Sequence, residues 1–129
     1  MSKPIHQEVD LKASPQRVYQ ALTDAKQFSA FSGGLPAEIQ PEVGGALKCF
    51  DGKITGRFIE LIPNQRIVQT WHVALWPDGV DSTVKFQLKE QGSGTRIILD
   101  HSDFPEENRE HLDAGWAQMY WEPMKKYLA

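Results

Sequence analysis

Apolar and polar residues alternate through the middle of the chain, and this pattern predicts β-strands from about residue 39 to residue 103. The apolar segments are separated by residue pairs of the kind that close hairpins: Gly44-Gly45, Asp51-Gly52 and Pro63-Asn64. We therefore expect an antiparallel meander of short strands, in which each strand pairs with the next one along the chain.

The end of this region predicts two longer strands. The segment DSTVKFQLKEQ places Val84, Phe86 and Leu88 on one face and lysine and glutamine side chains on the other. The segment GTRIILDHSD follows it across a Gly-Ser-Gly turn. One face of the sheet should therefore be buried, and the other should face water.

The segment before the meander predicts one strand and two short helices. The first strand is expected within residues 5–13, IHQEVDLKA. Ser14 is a good N-cap, and Pro15 suits the first helical position because its missing N–H needs no partner there. The second helix should carry Phe28 and Phe31.

A long helix is predicted from about Glu106 to Leu128, with Pro123 as a point where it can kink. Trp121 and Leu128 lie nearly opposite its apolar arc, so they are a candidate exposed patch for a partner chain. The favoured alternative is that Trp121 packs beneath a loop. At about 100° per residue, the arc that should face the sheet contains Leu112, Gly115, Trp116, Met119, Tyr120, Pro123 and Tyr127.

Length and charge restrict the class of protein. A chain of 129 residues predicts a single domain spanning residues 1–129, and a net charge of -3 without a basic run makes nucleic acid and anionic membranes unexpected partners. No apolar segment approaches the roughly 20 residues that span a bilayer. Cys49 is the single cysteine, and the polar opening lacks the layout of a signal peptide, so we expect a cytoplasmic protein.

A set of short motifs runs through the chain. Its members are Phe50-Asp51-Gly52, Ile54, Gly56, Glu60-Leu61, Pro63, Trp71, Trp76-Pro77, Gly94-Thr95, Gly115-Trp116 and Tyr120. In this order and spacing they resemble the carboxy-terminal domain of the activator of the heat-shock-protein-90 ATPase, an AHSA-type family within the START-like (SRPBCC, helix-grip) superfamily. The resemblance covers nearly the whole chain. It implies an α+β fold, in which a curved antiparallel sheet of about six to seven strands grips a long C-terminal helix and two short helices follow the first strand.

The cavity that such a fold encloses is the predicted binding site. In strand 66–73 the pattern favours Trp71 rather than His72 on the inward face. Buried tyrosine and tryptophan suit an amphipathic cavity because their polar tips need partners. The mouth is expected near the glycine-rich loop 32–37. The residues predicted to line the cavity are Phe58, Gln69, Trp71, Phe86, Leu112, Trp116, Met119 and Tyr120.

Catalytic and metal chemistry have weaker signals. The four histidines show no metal-ligand spacing and Cys49 has no cysteine companion, so neither a metal nor another cofactor is expected. Asp100, His101 and Asp103 form a candidate acid–base group, with His111 about two helical turns into the next element. The favoured alternative is an exposed strand end, in which Asp103 caps the following helix.

Three functions remain as expectations, because this fold hosts carriers, sensors and enzymes. The first is non-catalytic binding of a small hydrophobic or aromatic ligand in the cavity. The second is a co-chaperone module that binds the chaperone. The family implies that most ATPase stimulation belongs to a separate amino-terminal domain, for which this chain has no room. The third is a cyclase-like or hydrolase-like enzyme that uses Asp100 and His101.

Overall fold

A curved, seven-stranded antiparallel sheet dominates the computed structural model, which describes residues 3–128. Strand order in the sheet is β1-β7-β6-β5-β4-β3-β2, so β2 to β7 form the expected meander and β1 joins it beside β7. The strands are β1 Ile5–Leu11, β2 Glu38–Ile39, β3 Ala46–Cys49, β4 Ile54–Ile62, β5 Arg66–Val73, β6 Ser82–Gln91 and β7 Gly94–Ser102.

Two short helices follow β1, as the sequence predicts: α1 Pro15–Thr23 and α2 Ala25–Phe31. The hydroxyl oxygen of Ser14 accepts a backbone N–H three residues further on, and the carboxylate of Asp24 does the same for α2. Each side chain supplies an acceptor to an N–H group that the first turn of a helix leaves unpaired.

Alternation along β5 decides which side chains face the helices. Ile67, Gln69 and Trp71 are buried, whereas His72 points to the opposite face and contacts Asp81. The inward position of Trp71 is therefore confirmed. A shift of one residue along a strand would have exchanged the two faces, since side chains alternate with a period of two.

The terminal helical segment, residues 106–127, is continuous but not uniform. It comprises a 3₁₀ turn, Glu106–Asn108, then α3, Arg109–Trp116, then a π-helical turn, Ala117–Trp121, and α4, Glu122–Tyr127. In the π turn the N–H of Glu122 donates to the carbonyl of Ala117, five residues earlier. Pro123 explains this geometry, because its ring lacks an N–H and clashes with the carbonyl four residues back in a regular helix.

The π turn moves the buried stripe by one residue. The stripe leading into the turn contains Leu112, Trp116 and Tyr120; from the last residue of the turn onward, the buried residues are Trp121, Met124 and Leu128. Trp121 and Leu128 are each only 3% exposed, and the Trp121 N–H donates to the Gln7 side-chain oxygen at 2.7 Å. The predicted partner patch is therefore wrong, because a uniform 100° step overlooks the inserted residue.

The same shift exposes two residues that were expected to face the sheet. Met119 is 44% exposed and Tyr127 is 38% exposed. The helix thus turns one side to the sheet in its first half and a rotated side in its second half. Three indole rings meet where the two sides join: Trp116 stacks on Trp71 at 5.2 Å and on Trp121 at 5.6 Å between ring centroids.

Substitution of Gly56 in β4 tests how closely β4 approaches β5. A Cβ atom at this position would collide with the backbone carbonyl of Thr70. We expect Gly56→Ala to lower the free energy of unfolding by about 3 kcal/mol or more, because only a backbone shift relieves the collision. Guanidinium denaturation measures the change.

Gly115→Ala is the matched control, because no atom lies within 4 Å of a Cβ built there and the residue is inside α3. It should raise the free energy of unfolding by about 0.5–1 kcal/mol through helix propensity. Equal denaturation midpoints for Gly56→Ala and the unmodified protein would contradict the close approach of the two strands.

Candidate functional site

A pocket of about 620 Å³ opens between one end of the sheet and the first half of the terminal helical segment. The inner wall consists of the buried aromatic residues Phe50, Trp71, Trp116 and Tyr120. The rim is more exposed and combines apolar side chains with charged or polar ones. The rim residues are Lys53, Leu75, Glu107, His111, Gln118 and Met119.

Five of the eight residues predicted to line the cavity are on this wall: Trp71, Leu112, Trp116, Met119 and Tyr120. Phe58, Gln69 and Phe86 are buried but lie outside it, so their assignment to the wall is wrong. They lie two to four residues along their strands, away from the end of the sheet where the pocket opens. There the sheet and helices pack directly, as the contact of Phe86 with Trp116 shows at 5.7 Å.

The mouth is not at loop 32–37, which contributes no residue to the wall. Phe28 and Phe31 of α2 pack against Tyr120 at 5.7 and 6.1 Å, and this aromatic cluster closes the end that was expected to open. The mouth lies instead beside the β5–β6 loop. Leu75 and Trp76 from that loop were missed as wall residues, although the Trp-Pro pair at 76–77 was a visible signal.

A hydrogen-bonded chain anchors the inner wall to the sheet. The Trp116 N–H donates to Nδ1 of His101 at 3.2 Å, which leaves the ring hydrogen on Nε2. That Nε2–H donates to Ser82 Oγ at 2.7 Å, and the Ser82 hydroxyl donates to the carbonyl of Trp71 at 3.3 Å. His101 is completely buried, and burial lowers its pKa to about 3. It is thus a neutral structural histidine at pH 7.

The candidate acid–base group is not assembled. Asp100 lies on the opposite face of β7 from His101 and accepts a hydrogen bond from His6, which raises the pKa of that histidine. The favoured alternative also needs correction, because His101 is not exposed and Asp103 caps no helix. Asp103 instead adopts a left-handed backbone conformation at φ 67°. His111 lies apart from this group, on the pocket rim.

Ionisable groups in and near the inner wall are held neutral. Burial raises the pKa of Tyr120 well above its usual value and raises that of the buried Cys49 thiol to about 12. Neither group supplies a nucleophile or a base near neutral pH. The inner wall therefore offers an apolar surface with neutral polar tips.

Residues 3–128 contain no cluster of three histidine, cysteine, aspartate or glutamate residues arranged to hold a metal ion. None of the helices in this range is both long enough and apolar enough to cross a bilayer.

A curved antiparallel sheet around a long terminal helix, with an aromatic pocket between them, defines a helix-grip domain of the START-like class. The chain belongs to the family described as Activator of Hsp90 ATPase homolog 1-like protein, whose model matches residues 12–129. The resemblance seen in the sequence motifs is thereby confirmed.

Relatives show how much of a longer protein this domain represents. The human activator of 90 kDa heat shock protein ATPase homolog 1 is 27% identical over 113 residues, which cover 88% of this chain and 33% of the human protein. The chain therefore spans about a third of the length of the curated relatives that it matches.

Solved structures support the fold over nearly the whole chain. An HSP90 activator from Plasmodium falciparum has a TM-score of 0.90 at 26% identity and covers 97% of this chain and 95% of that one. The Aha1 dimer from Colwellia psychrerythraea has a TM-score of 0.81 at 23% identity, with coverage of 98% and 96%. The second likeness is evidence for the fold alone.

His101 should make the stability of the protein depend on pH. Its pKa in the native state is about 3, against 6.5 for an unperturbed histidine. Above pH 6.5 His101 is neutral in both the native and the unfolded state, so its contribution to the free energy of unfolding is constant. As the pH falls from 6.5 towards 3, only the unfolded state binds the proton. The free energy of unfolding therefore falls by up to about 1.4 kcal/mol per pH unit.

Urea unfolding at pH 7 and pH 5 measures this effect. Between pH 7 and pH 5 the free energy of unfolding of the unmodified protein should fall by about 2 kcal/mol more than that of His101→Gln. His6→Gln is the control of opposite sign, because the raised pKa of His6 stabilises the native state at low pH. The same pH dependence in the unmodified protein and in His101→Gln would contradict a buried neutral histidine.

Proposed function

We propose that this domain binds a small apolar or aromatic molecule in the pocket between the sheet and the terminal helical segment, without catalysing a reaction on it. The observation that carries the proposal is the pocket itself. Its volume of about 620 Å³ falls within the range of about 300–1,000 Å³ that is typical of small-molecule sites. Its inner wall is aromatic, and its charged groups are confined to the rim.

Exposed apolar surface at the mouth supports the same function. Leu75 is 94% exposed and Met119 is 44% exposed, and both belong to the pocket rim. A ligand seated between them would remove this surface from water, which contributes about 25 cal/mol per Å² of apolar area. Methionine also adapts to ligands of different shape because its side chain is unbranched.

The chemistry of the wall favours binding over catalysis. Asp100 and His101 lie on opposite faces of β7, and the Cys49 thiol is buried and protonated. General acid–base catalysis needs titratable groups that reach the bound molecule. The third expected function, a cyclase or hydrolase, therefore has no support from these residues.

Gly115 provides a direct test, because it lies on the pocket wall and nothing surrounds a Cβ atom built there within 4 Å. In Gly115→Leu the new side chain should occupy part of the pocket. With the fluorescent probe anilinonaphthalene sulfonate, we expect Gly115→Leu to weaken binding by at least about tenfold, or about 1.4 kcal/mol.

Gly115→Ala is the matched control and should bind the probe nearly as tightly as the unmodified protein. Circular dichroism and a thermal melt establish that all three proteins are folded. Absence of probe binding to the folded, unmodified protein would contradict the proposal, and so would equal affinity for Gly115→Leu.

Chaperone binding is a second candidate function, and family membership favours it. The human relative is named as an activator of the 90 kDa heat shock protein ATPase, and this domain matches about a third of it. Burial of Trp121 and Leu128 removes the surface first expected to bind a partner. Val43 and Ile59 are alternative contacts, because they are 67% and 50% exposed. They lie near each other: the N–H of Gly44, next to Val43, donates to the carbonyl of Phe58, next to Ile59.

An ATPase assay with an Hsp90-type chaperone tests this second function. We expect the domain to change the rate of ATP hydrolysis in a saturable way, and Val43→Ser with Ile59→Ser to raise the concentration needed for half the effect. Gly115→Leu should act like the unmodified protein, since its change is confined to the pocket. No effect on the rate and no binding in a titration would exclude the chaperone function for this domain.

A further inference from the structure

The loop between β5 and β6, residues 74–81, forms one side of the pocket mouth. Leu75, Trp76 and Pro77 line the pocket. Trp76 is only 8% exposed, whereas Leu75 is 94% exposed, so one side chain is held against the protein while its neighbour projects into water. The position of this loop therefore decides how much of the wall is in place when a ligand arrives.

Backbone hydrogen bonds fix the start of this loop more firmly than its end. The N–H of Ala74 donates to the carbonyl of Lys53 at 2.9 Å, which ties the first residue of the loop to the segment before β4. Two further backbone bonds shape the loop but do not attach its end to the sheet. Each spans three residues, from Trp76 to Val73 at 2.8 Å and from Val80 to Pro77 at 3.1 Å.

His72 supplies the connection at the end of the loop. The pairing of β5 with β6 stops one residue earlier, at Trp71, so His72 and Asp81 stand where the next pair would be. The Nδ1 atom of His72 lies 2.9 Å from the carbonyl oxygen of Val80 and 3.1 Å from a carboxylate oxygen of Asp81. Both partners are acceptors, so a ring hydrogen is on Nδ1. The same ring meets Trp76 edge-on at 6.3 Å between centroids.

We propose that His72 is a positioning residue for ligand binding: its Nδ1–H holds the end of the β5–β6 loop and so keeps Trp76 and Leu75 at the pocket mouth. This inference rests on the ligand-binding function proposed above. His72 lies on the opposite face of β5 from Trp71 and is not part of the pocket wall, so it acts through the loop and touches no ligand. Without this bond the ligand itself must order the loop, and that cost lowers the affinity.

His72→Leu removes the donor and replaces the ring with an apolar side chain. We expect this variant to bind anilinonaphthalene sulfonate about fivefold more weakly than the unmodified protein does, the factor that one hydrogen bond typically contributes. Stopped-flow fluorescence should show the loss as faster dissociation, because a loosely held loop releases a bound dye more readily.

His72→Asn separates the effect of the hydrogen bond from that of the ring. Its amide nitrogen is as many bonds from Cα as Nδ1 is, so it can donate to the Val80 carbonyl, but it has no ring to meet Trp76. We expect its affinity for the dye to lie within about twofold of that of the unmodified protein. Thr83→Val is the matched control, because Thr83 lies on the same outer face, one strand away, and it should leave dye binding unchanged.

Nuclear magnetic resonance provides two further measurements. In the unmodified protein, nitrogen chemical shifts distinguish the tautomers of a histidine, and those of His72 should show a hydrogen on Nδ1. The heteronuclear Overhauser effect at the Trp76 indole N–H should fall in His72→Leu and recover in saturating dye, since it reports fast motion of the loop. The indole of Trp121 is the internal reference, because its N–H donates to Gln7.

The outcomes separate this inference from the function on which it rests. Equal dye affinity in the unmodified protein and in folded His72→Leu overturns the positioning role and leaves ligand binding intact. The same conclusion follows from a loss that His72→Asn does not restore, from an unchanged Trp76 signal in His72→Leu, or from a His72 ring whose hydrogen is on Nε2 alone. A folded, unmodified protein that binds no dye overturns both proposals together.

Discussion

The position of Trp116 is the constraint on which the rest of the structure depends. Its ring lies between Trp71 of the sheet and Trp121 of the terminal helical segment, and its N–H donates to His101. Each aromatic pair contributes about 0.5–1.5 kcal/mol beyond area burial, and an unsatisfied N–H would cost about 1–3 kcal/mol. These interactions fix the angle and the height at which the helix crosses the sheet. The pocket is the space that this crossing leaves at one end.

Pro123 and the π turn give the two halves of the helical segment different tasks. The inserted residue rotates the second half, so that Trp121, Met124 and Leu128 pack into a closed core. The first half keeps Leu112 and Met119 beside the opening. A regular helix would have placed Trp121 in solvent. One missing backbone hydrogen bond therefore separates the structural half of the helix from the half that lines the pocket.

The buried polar groups of the pocket wall favour the proposed binding function over catalysis. His101 has two partners and is neutral, and burial keeps the Tyr120 hydroxyl and the Cys49 thiol protonated. These groups hold the wall rigid but exchange no protons near pH 7. Such a wall suits the apolar ligand proposed above.

Local chemistry, which the sequence alone carries, determined much of this fold. Alternation in β5 and β6, the cap at Ser14, and the turn residues predicted the elements and the antiparallel meander, because each depends on neighbours within a few positions. The family motifs predicted the helix-grip arrangement, and strand alternation with the helical arc predicted five residues of the wall.

Tertiary structure alone decided the remainder. The phase of the helix after residue 120 depended on a π turn, the closed end depended on α2 packing against Tyr120, and the burial of His101 depended on a donor 15 residues away in Trp116. Periodicity cannot register these effects, because the π turn inserts a residue into the helical repeat and the other two arise from contacts between separate elements.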